Sequence, residues 1–419
     1  MFESSHSYSI LSIDGGGIRG IIPCLVLAKI EQLLENKQIG ELFDLVSGTS
    51  TGGILAAGLV KRTEDEKFEY PAKELLKLYL GEEGKKIFSR PLGPVNFFRQ
   101  LFASKFSDSN VEEIMQDFFA DYKLSQAHPD ILITSYDTEA KKPFYFSSLR
   151  AKQEIEQWKK ESAEGKGNGR FEPEEDFYLR DVTRATSAAP TYFPPKMIPQ
   201  RYEQFDRLSL VDGGVFANNP SLLAYLEGKL IWKDSRAYNQ KVNEYEDFMD
   251  RQSKGMYAQV SSDNYEAPFL LVSIGTGQTK RPYTYERVRT WGAASWVKPI
   301  IDILMQGVSE SVHYQMQYLL PPFNDEQQTP RYFRLNIELD QDYSGMDDVS
   351  EPTLRQLINY AGDILYEEGG RIPDKENLPL TNYAGAVIEG EGKTLKPEIG
   401  MICELLEDLA DKRQREMVG

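Results

Sequence analysis

Ser50 stands in Gly48-Thr49-Ser50-Thr51-Gly52-Gly53, and Asp212 stands in Leu210-Val211-Asp212-Gly213-Gly214. The first stretch fits G-x-S-x-G. In that motif a tight strand-to-helix turn strains the serine and lifts its hydroxyl above a sheet. Only small residues fit beside such a turn, because a larger side chain would strike the neighbouring strand or helix. A serine hydroxyl is a weak nucleophile until a base takes its proton. Asp212 follows an apolar run at a turn that Gly213 and Gly214 permit. A carboxylate there can act as that base if it is within hydrogen-bonding reach and partly desolvated. The same residues have plainer readings: a glycine-rich turn with an incidental serine, and a loop aspartate bonding its own backbone.

Histidine is the commoner base, and the chain has three. The order Ser50, Asp212, His313 is that of an α/β-hydrolase triad. However, His313 lies in a run where Ile301, Leu304, Val308 and Val312 mark a helix, whereas a triad histidine belongs on a loop. His6 sits in the N-terminal segment and His128 just ahead of a strand. All three read as structural or surface residues, so Asp212 is the expected base.

The third chemical stretch is "DGGGIRG", residues 14–20. So bare a backbone suits either a phosphate or the negative charge that develops on a reacting carbonyl. Gly15, Gly17 and Gly20 satisfy G-x-G-x-x-G between a strand and a helix, the setting of a dinucleotide loop. Two features oppose that reading. Asp14 would face the pyrophosphate, and the second strand ends in "GTSTGG" and not in an acid for the ribose. No lysine follows the glycines, so neither stretch is a Walker loop.

These groups need a frame that brings them together. "YSILSI" (8–13), "FDLVSG" (43–48), "DILITSYD" (130–137), "FYFSS" (144–148), "LSLVDGG" (208–214) and "FLLVSIGTG" (269–277) read as strands. Helices are expected from Pro23, over 54–61, near Pro220, over 352–368 and over 398–417. Residues 370–396 read as loop. Strands that alternate with helices and end in glycine indicate an α/β fold with a largely parallel sheet. In a parallel sheet the strand C-termini share one edge, and Ser50 and Asp212 both occupy such ends. The polar stretches 161–170 and 239–266 read as surface insertions.

The 419 residues are 40% hydrophobic and 27% charged, an ordinary globular composition. A formal net charge of -17 opposes nucleic-acid binding. No run suits a membrane span, no secretory signal is visible, and Cys24 and Cys403 are too few and too far apart for a disulfide scaffold. These features suggest a cytoplasmic protein. No calcium-loop spacing is present.

"DGGGIRG", "GTSTGG", "ATSAAPTYFPP" (185–195), "LVDGG" and "SIGTG" follow one another in an order that resembles patatin-like phospholipases. "WGAASW" (291–296) and "MDDVSE" (346–351) are similar to plant patatins. The resemblance spans residues 8–368 as a catalytic domain and leaves 369–419 as a C-terminal extension. It implies a three-layer α/β/α fold that hydrolyses fatty acyl esters of phospholipids, lysophospholipids and galactolipids without metal or cofactor. Carried over, Ser50 is the nucleophile and Asp212 the base, with Gly48, Gly52, Gly213 and Gly214 shaping their turns. Backbone N–H groups around Gly15, Gly16 and Gly17 form the oxyanion hole, Arg19 adds charge or fixes that loop, and Gly20 completes the motif.

Two other classes remain open: a storage or ligand-regulated protein on the same fold, and the disfavoured dinucleotide-dependent oxidoreductase. Residues 84–107 hold Lys85, Lys86, Arg90, Arg99 and Lys105 among Phe88, Phe97, Phe98, Phe102 and Phe106, with no acidic residue. Such a segment suits peripheral contact with a membrane. The plainer reading is phenylalanines packed on the body, with solvated basic residues.

Overall fold

The computed structural model describes residues 7–35, 37–87, 108–163, 173–199, 206–233, 268–279 and 282–418. The 239–266 insertion lies outside these residues, as do 164–170 of the other insertion and 88–107 of the basic aromatic segment.

The main sheet holds β1 (Tyr8–Ile13), β2 (Leu45–Gly48), β3 (Asp130–Asp137), β4 (Lys142–Ser147), β5 (Lys196–Ile198), β6 (Leu208–Asp212), β7 (Phe269–Ile274) and β9 (Tyr332–Leu335). A small parallel pair, β8 (Gln278–Thr279) and β10 (Glu338–Leu339), stands beside it. Among the described residues, the helices of eight residues or more are α1 (Ile21–Leu33), α2 (Thr51–Val60), α3 (Asp108–Phe119), α4 (Ser148–Ala163), α5 (Leu179–Thr186), α6 (Ser221–Lys233), α7 (Ala293–Leu319), α8 (Glu351–Leu365), α9 (Leu380–Glu389) and α10 (Pro397–Val418).

Strands β9, β7, β1, β2 and β3 run parallel in that order. Parallel strands are covered on both faces and so read as unbroken apolar runs. Every residue of β1 and β7 is buried. Alternate side chains enter opposite cores. Leu11, Ile13, Val46, Ile133 and Val272 pack with α1, α2, α5 and α8, whereas Tyr8, Ile10, Leu45, Phe269 and Leu271 pack with α6 and α7. The result is a three-layer α/β/α arrangement.

Two expectations need correction. Residues 370–396 are not all loop, because α9 occupies their middle. Its Leu380, Tyr383, Ala384, Val387 and Ile388 follow helical spacing, and all but the half-buried Leu380 are fully buried. Gly390, at φ 62°, ends it in the left-handed conformation. Together with Ile399, Ile402, Leu406 and Leu409 of α10, these residues join the core that contains α1.

The second correction concerns β6. It is antiparallel to β3, so Asp212 does not sit at the end of a parallel strand. Pairing direction is a long-range property that the local apolar pattern does not record.

Candidate active site

The edge of β3 brings Ser50 and Asp212 together. On one side β3 is paired by β4 from Leu132 to Asp137. On the other, β2 takes residues 130–133 and β6 takes 135–137. The two strands therefore approach head-on along a single edge. Gly48 pairs with Ile133, and Asp212 with Ser135, leaving Thr134 between their C-terminal ends. Thr134 ties the junction, because its hydroxyl lies 2.7 Å from that of Thr49. The Thr49 hydroxyl also donates to the Ala217 carbonyl at 2.7 Å.

At this junction the chain leaves β2, turns at Ser50 and enters α2. Ser50 has φ 55° and ψ -123°, a conformation that non-glycine residues seldom adopt. Such strain costs about 1–3 kcal/mol and persists only where the surroundings enforce it. Here the Ser50 N–H donates to Thr186 Oγ1 of α5 at 2.8 Å. A Cβ on Gly48 would overlap the Gly52 backbone, and one on Gly52 would overlap the carbonyls of Ile13 and Asp14. Both glycines of the motif are thus sterically required.

Asp212 is 4% exposed, and its Oδ1 accepts the Gly214 N–H at 2.7 Å. The Ser50 side chain is within its hydrogen-bonding reach. Burial pushes the Asp212 carboxyl up to about 6, and the Ser50 hydroxyl and the Gly214 N–H pull against that rise. Gly213 packs on Thr134, and Gly214 opens the short helix Gly214–Ala217.

The glycine loop arrives from β1. The Gly15 N–H is already engaged with the Asn218 carbonyl at 3.1 Å, so it does not face the site as a free donor. Gly16 and Gly17 line the cavity beside Ser50, and their N–H groups have no acceptor among the described residues. Gly17 has φ 58°, and a Cβ on it would overlap the Met346 carbonyl. Arg19 holds the loop: its Nε donates to the Gly16 carbonyl at 3.3 Å and its Nη1 to the Gly277 carbonyl at 3.4 Å. Gly20 packs against Thr51 and Tyr79.

Two cavities flank this loop. One, of about 1080 Å³ counted to its open mouth, reaches Ser50 and Asp212; its walls include Ile54, Leu78, Phe193, Ile301 and Leu304. The other, of about 870 Å³, is polar and reaches Asp14, Arg19, Asn218, Thr276 and Arg334. Asp14 is gripped by Arg334 through two bonds of 2.9 and 2.6 Å. Burial raises the Asp14 carboxyl and the guanidinium lowers it. This pairing across the sheet is not visible in the sequence, which shows Asp14 only as part of the glycine motif.

The two described histidines line neither cavity. His313 is on α7, with Nδ1 3.1 Å from the Tyr332 hydroxyl. Burial and the nearby Arg334 charge lower its pKa. His128 precedes β3, and its pKa is lowered mainly by burial. His6 lies outside the described residues.

A family model, patatin-like phospholipase, matches residues 11–225, a span that holds the glycine loop, Ser50 and Asp212. Patatin-like protein 1 of Arabidopsis thaliana is 30% identical over 369 residues, covering 83% of this chain and 79% of that protein. Patatin-like protein 2 of Oryza sativa subsp. indica is 27% identical over 432 residues, 99% of this chain and 96% of its own. Patatin-T5 of Solanum tuberosum is 28% identical over 371 residues, 85% of this chain and 83% of its own.

Proposed function

The chain belongs to the patatin-like phospholipase family, and from that premise we propose that it is a serine lipid acyl hydrolase acting on fatty acyl esters of phospholipids and lysophospholipids. Ser50 is the nucleophile and Asp212 the base. The observation that carries this reading is the reach of a strained Ser50 to a buried Asp212 at one end of an apolar cavity.

The acyl chain lies in the apolar cavity with its carbonyl at Ser50. As Ser50 Oγ attacks the carbonyl carbon, Asp212 accepts the hydroxyl proton. The carbonyl oxygen becomes anionic and meets the N–H groups of Gly16 and Gly17. Collapse of this intermediate breaks the bond to the alcohol oxygen, which takes the proton back from Asp212 and leaves as lysolipid or alcohol. Water then attacks the acyl-enzyme, again giving its proton to Asp212, and the fatty acid departs as Ser50 recovers its proton. A carboxylate near 6 is ionised at neutral pH yet holds a proton more firmly than an ordinary aspartate, as a general base must. One oxyanion donor is worth about 100- to 1000-fold in rate.

Incubating the protein with defined phospholipids and resolving the products by mass spectrometry tests the reading. Wild type releases fatty acid, and Ser50→Ala releases none while remaining folded. A folded Ser50→Ala variant with wild-type turnover would overturn it.

A further inference from the structure

Helix α7 divides its faces among three environments. At about 100° per residue, Ile301, Leu304 and Met305 fall on one face and line the apolar cavity. Asp302, Met305, Gln306 and Ser309 fall on the next and line the polar cavity. The remaining face carries Trp296, Ile300, Ile303 and Gly307 without a charge; the exposed Glu310 then interrupts it before Tyr314 and Tyr318. The charge-free part spans about 17 Å of helix. Ile300 is 45% exposed, Ile303 42% and Tyr318 71%.

This stripe is continuous with the cavity. Leu304 stands on the border: it is 51% exposed and also lines the cavity that reaches Ser50. Val215 is likewise both exposed and cavity-lining. Aromatic rings mark both ends. Tyr283, Trp291 and Trp296 stack edge-on at 5.2 and 5.0 Å near the start of α7. Tyr314 and Tyr318 meet at 5.0 Å near its end. Rings with a polar tip favour the boundary between hydrocarbon and water.

We infer that the apolar part of this face, around Ile300, Ile303 and Leu304, docks on a zwitterionic lipid surface and opens the apolar cavity to lipid held there. The inference rests on the reading of the cavity as an acyl site. A protein bound on the stripe would cover the cavity mouth, whereas a lipid surface supplies substrate through it. The net charge of -17 disfavours an anionic surface. The helix lies on the surface and does not enter as a span, because no described helix is long and apolar enough to cross a membrane. Its residues are not those of the basic segment 84–107, so the two assignments can be tested with separate substitutions.

The test uses the full chain with Ser50→Ala, which removes turnover, floated with phosphatidylcholine vesicles. The protein should float with the vesicles, and adding Ile300→Ser with Ile303→Ser should weaken binding about tenfold or more, since both side chains would leave hydrocarbon. Tyr314→Ser with Tyr318→Ser should weaken it less. In the Ser50 background, the isoleucine pair should lose activity on vesicles and keep its rate on a soluble short-chain ester, because neither residue lines the cavity. Unchanged flotation, equal losses on both substrates, or binding only to phosphatidylserine vesicles would overturn the inference. If wild type hydrolysed neither substrate, the acyl-hydrolase reading would fail, and flotation would still decide the docking face.

Discussion

The glycine loop separates two buried aspartates that have different fates. On the polar side, Asp14 is 3% exposed and held by two bonds from Arg334. On the apolar side, Asp212 is 4% exposed, and the groups that lower its pKa are the Ser50 hydroxyl and the Gly214 N–H, with no cation among them. Burial raises both carboxyls. The bonding partner sets the role of each. A guanidinium holds both oxygens of Asp14, which suits a brace under the loop. Asp212 has no such partner, which suits the base proposed for Ser50.

That contrast can be broken most strongly at Asp212. Asp212→Asn keeps the size and loses the proton acceptor, so ester turnover should fall by on the order of 100-fold to 10,000-fold. Its stability should move the other way. The folded carboxyl is raised from 3.8 to about 6, so its contribution to stability is fully present below 3.8 and is lost as pH rises through about 6. At neutral pH the buried charge costs the folded state at most about 3 kcal/mol, which asparagine removes. A higher melting temperature with lost activity is the expected pair of results. An inactive variant that also melts lower would assign Asp212 a structural role.

Asp14→Asn should behave in the opposite way. It leaves the Arg334 side chain charged and 8% exposed, with the Ser273 hydroxyl but no carboxylate, which costs about 3–5 kcal/mol. Chemical denaturation should show that loss, and the double variant Asp14→Asn/Arg334→Gln should recover part of it. Equal stability of wild type and Asp14→Asn would rule out the brace.

A smaller effect is the pH response. With Asp212 as base, kcat/KM should fall about tenfold per pH unit below about 6. The limb should be absent from the residual activity of Asp212→Asn. Its persistence there would assign it to another group. The smallest effect is at His313: alanine should change activity by no more than a few-fold, because the imidazole lines neither cavity.

The turns of the candidate site were legible because they are local. G-x-S-x-G and D-G-G report tight turns, and the structure shows why Gly48 and Gly52 cannot carry a Cβ. The strands were legible because buried parallel strands are unbroken apolar runs. Long-range facts were not. The head-on meeting of β2 and β6 depends on a β3 strand long enough to pair with both, and nothing near Asp212 records its direction. Arg334 meets Asp14 across 320 residues. Gly15 is one of three adjacent glycines, yet its N–H is taken by Asn218, which only the fold brings near. Helix α9 had a readable pattern, but Pro373, Pro379, Gly390 and Gly392 around it signal loop.

The most direct test of the dyad is reaction with an active-site-directed fluorophosphonate, with the modified residue mapped by mass spectrometry. Its phosphorus should be attacked by Ser50 Oγ with loss of fluoride, a step that needs the same base. Wild type and His313→Ala should be labelled at Ser50 at rates within a few-fold of each other, while folded Asp212→Asn should react on the order of 100-fold more slowly. Labelling of Asp212→Asn at the wild-type rate, together with a folded but unlabelled His313→Ala, would contradict the Ser50–Asp212 assignment.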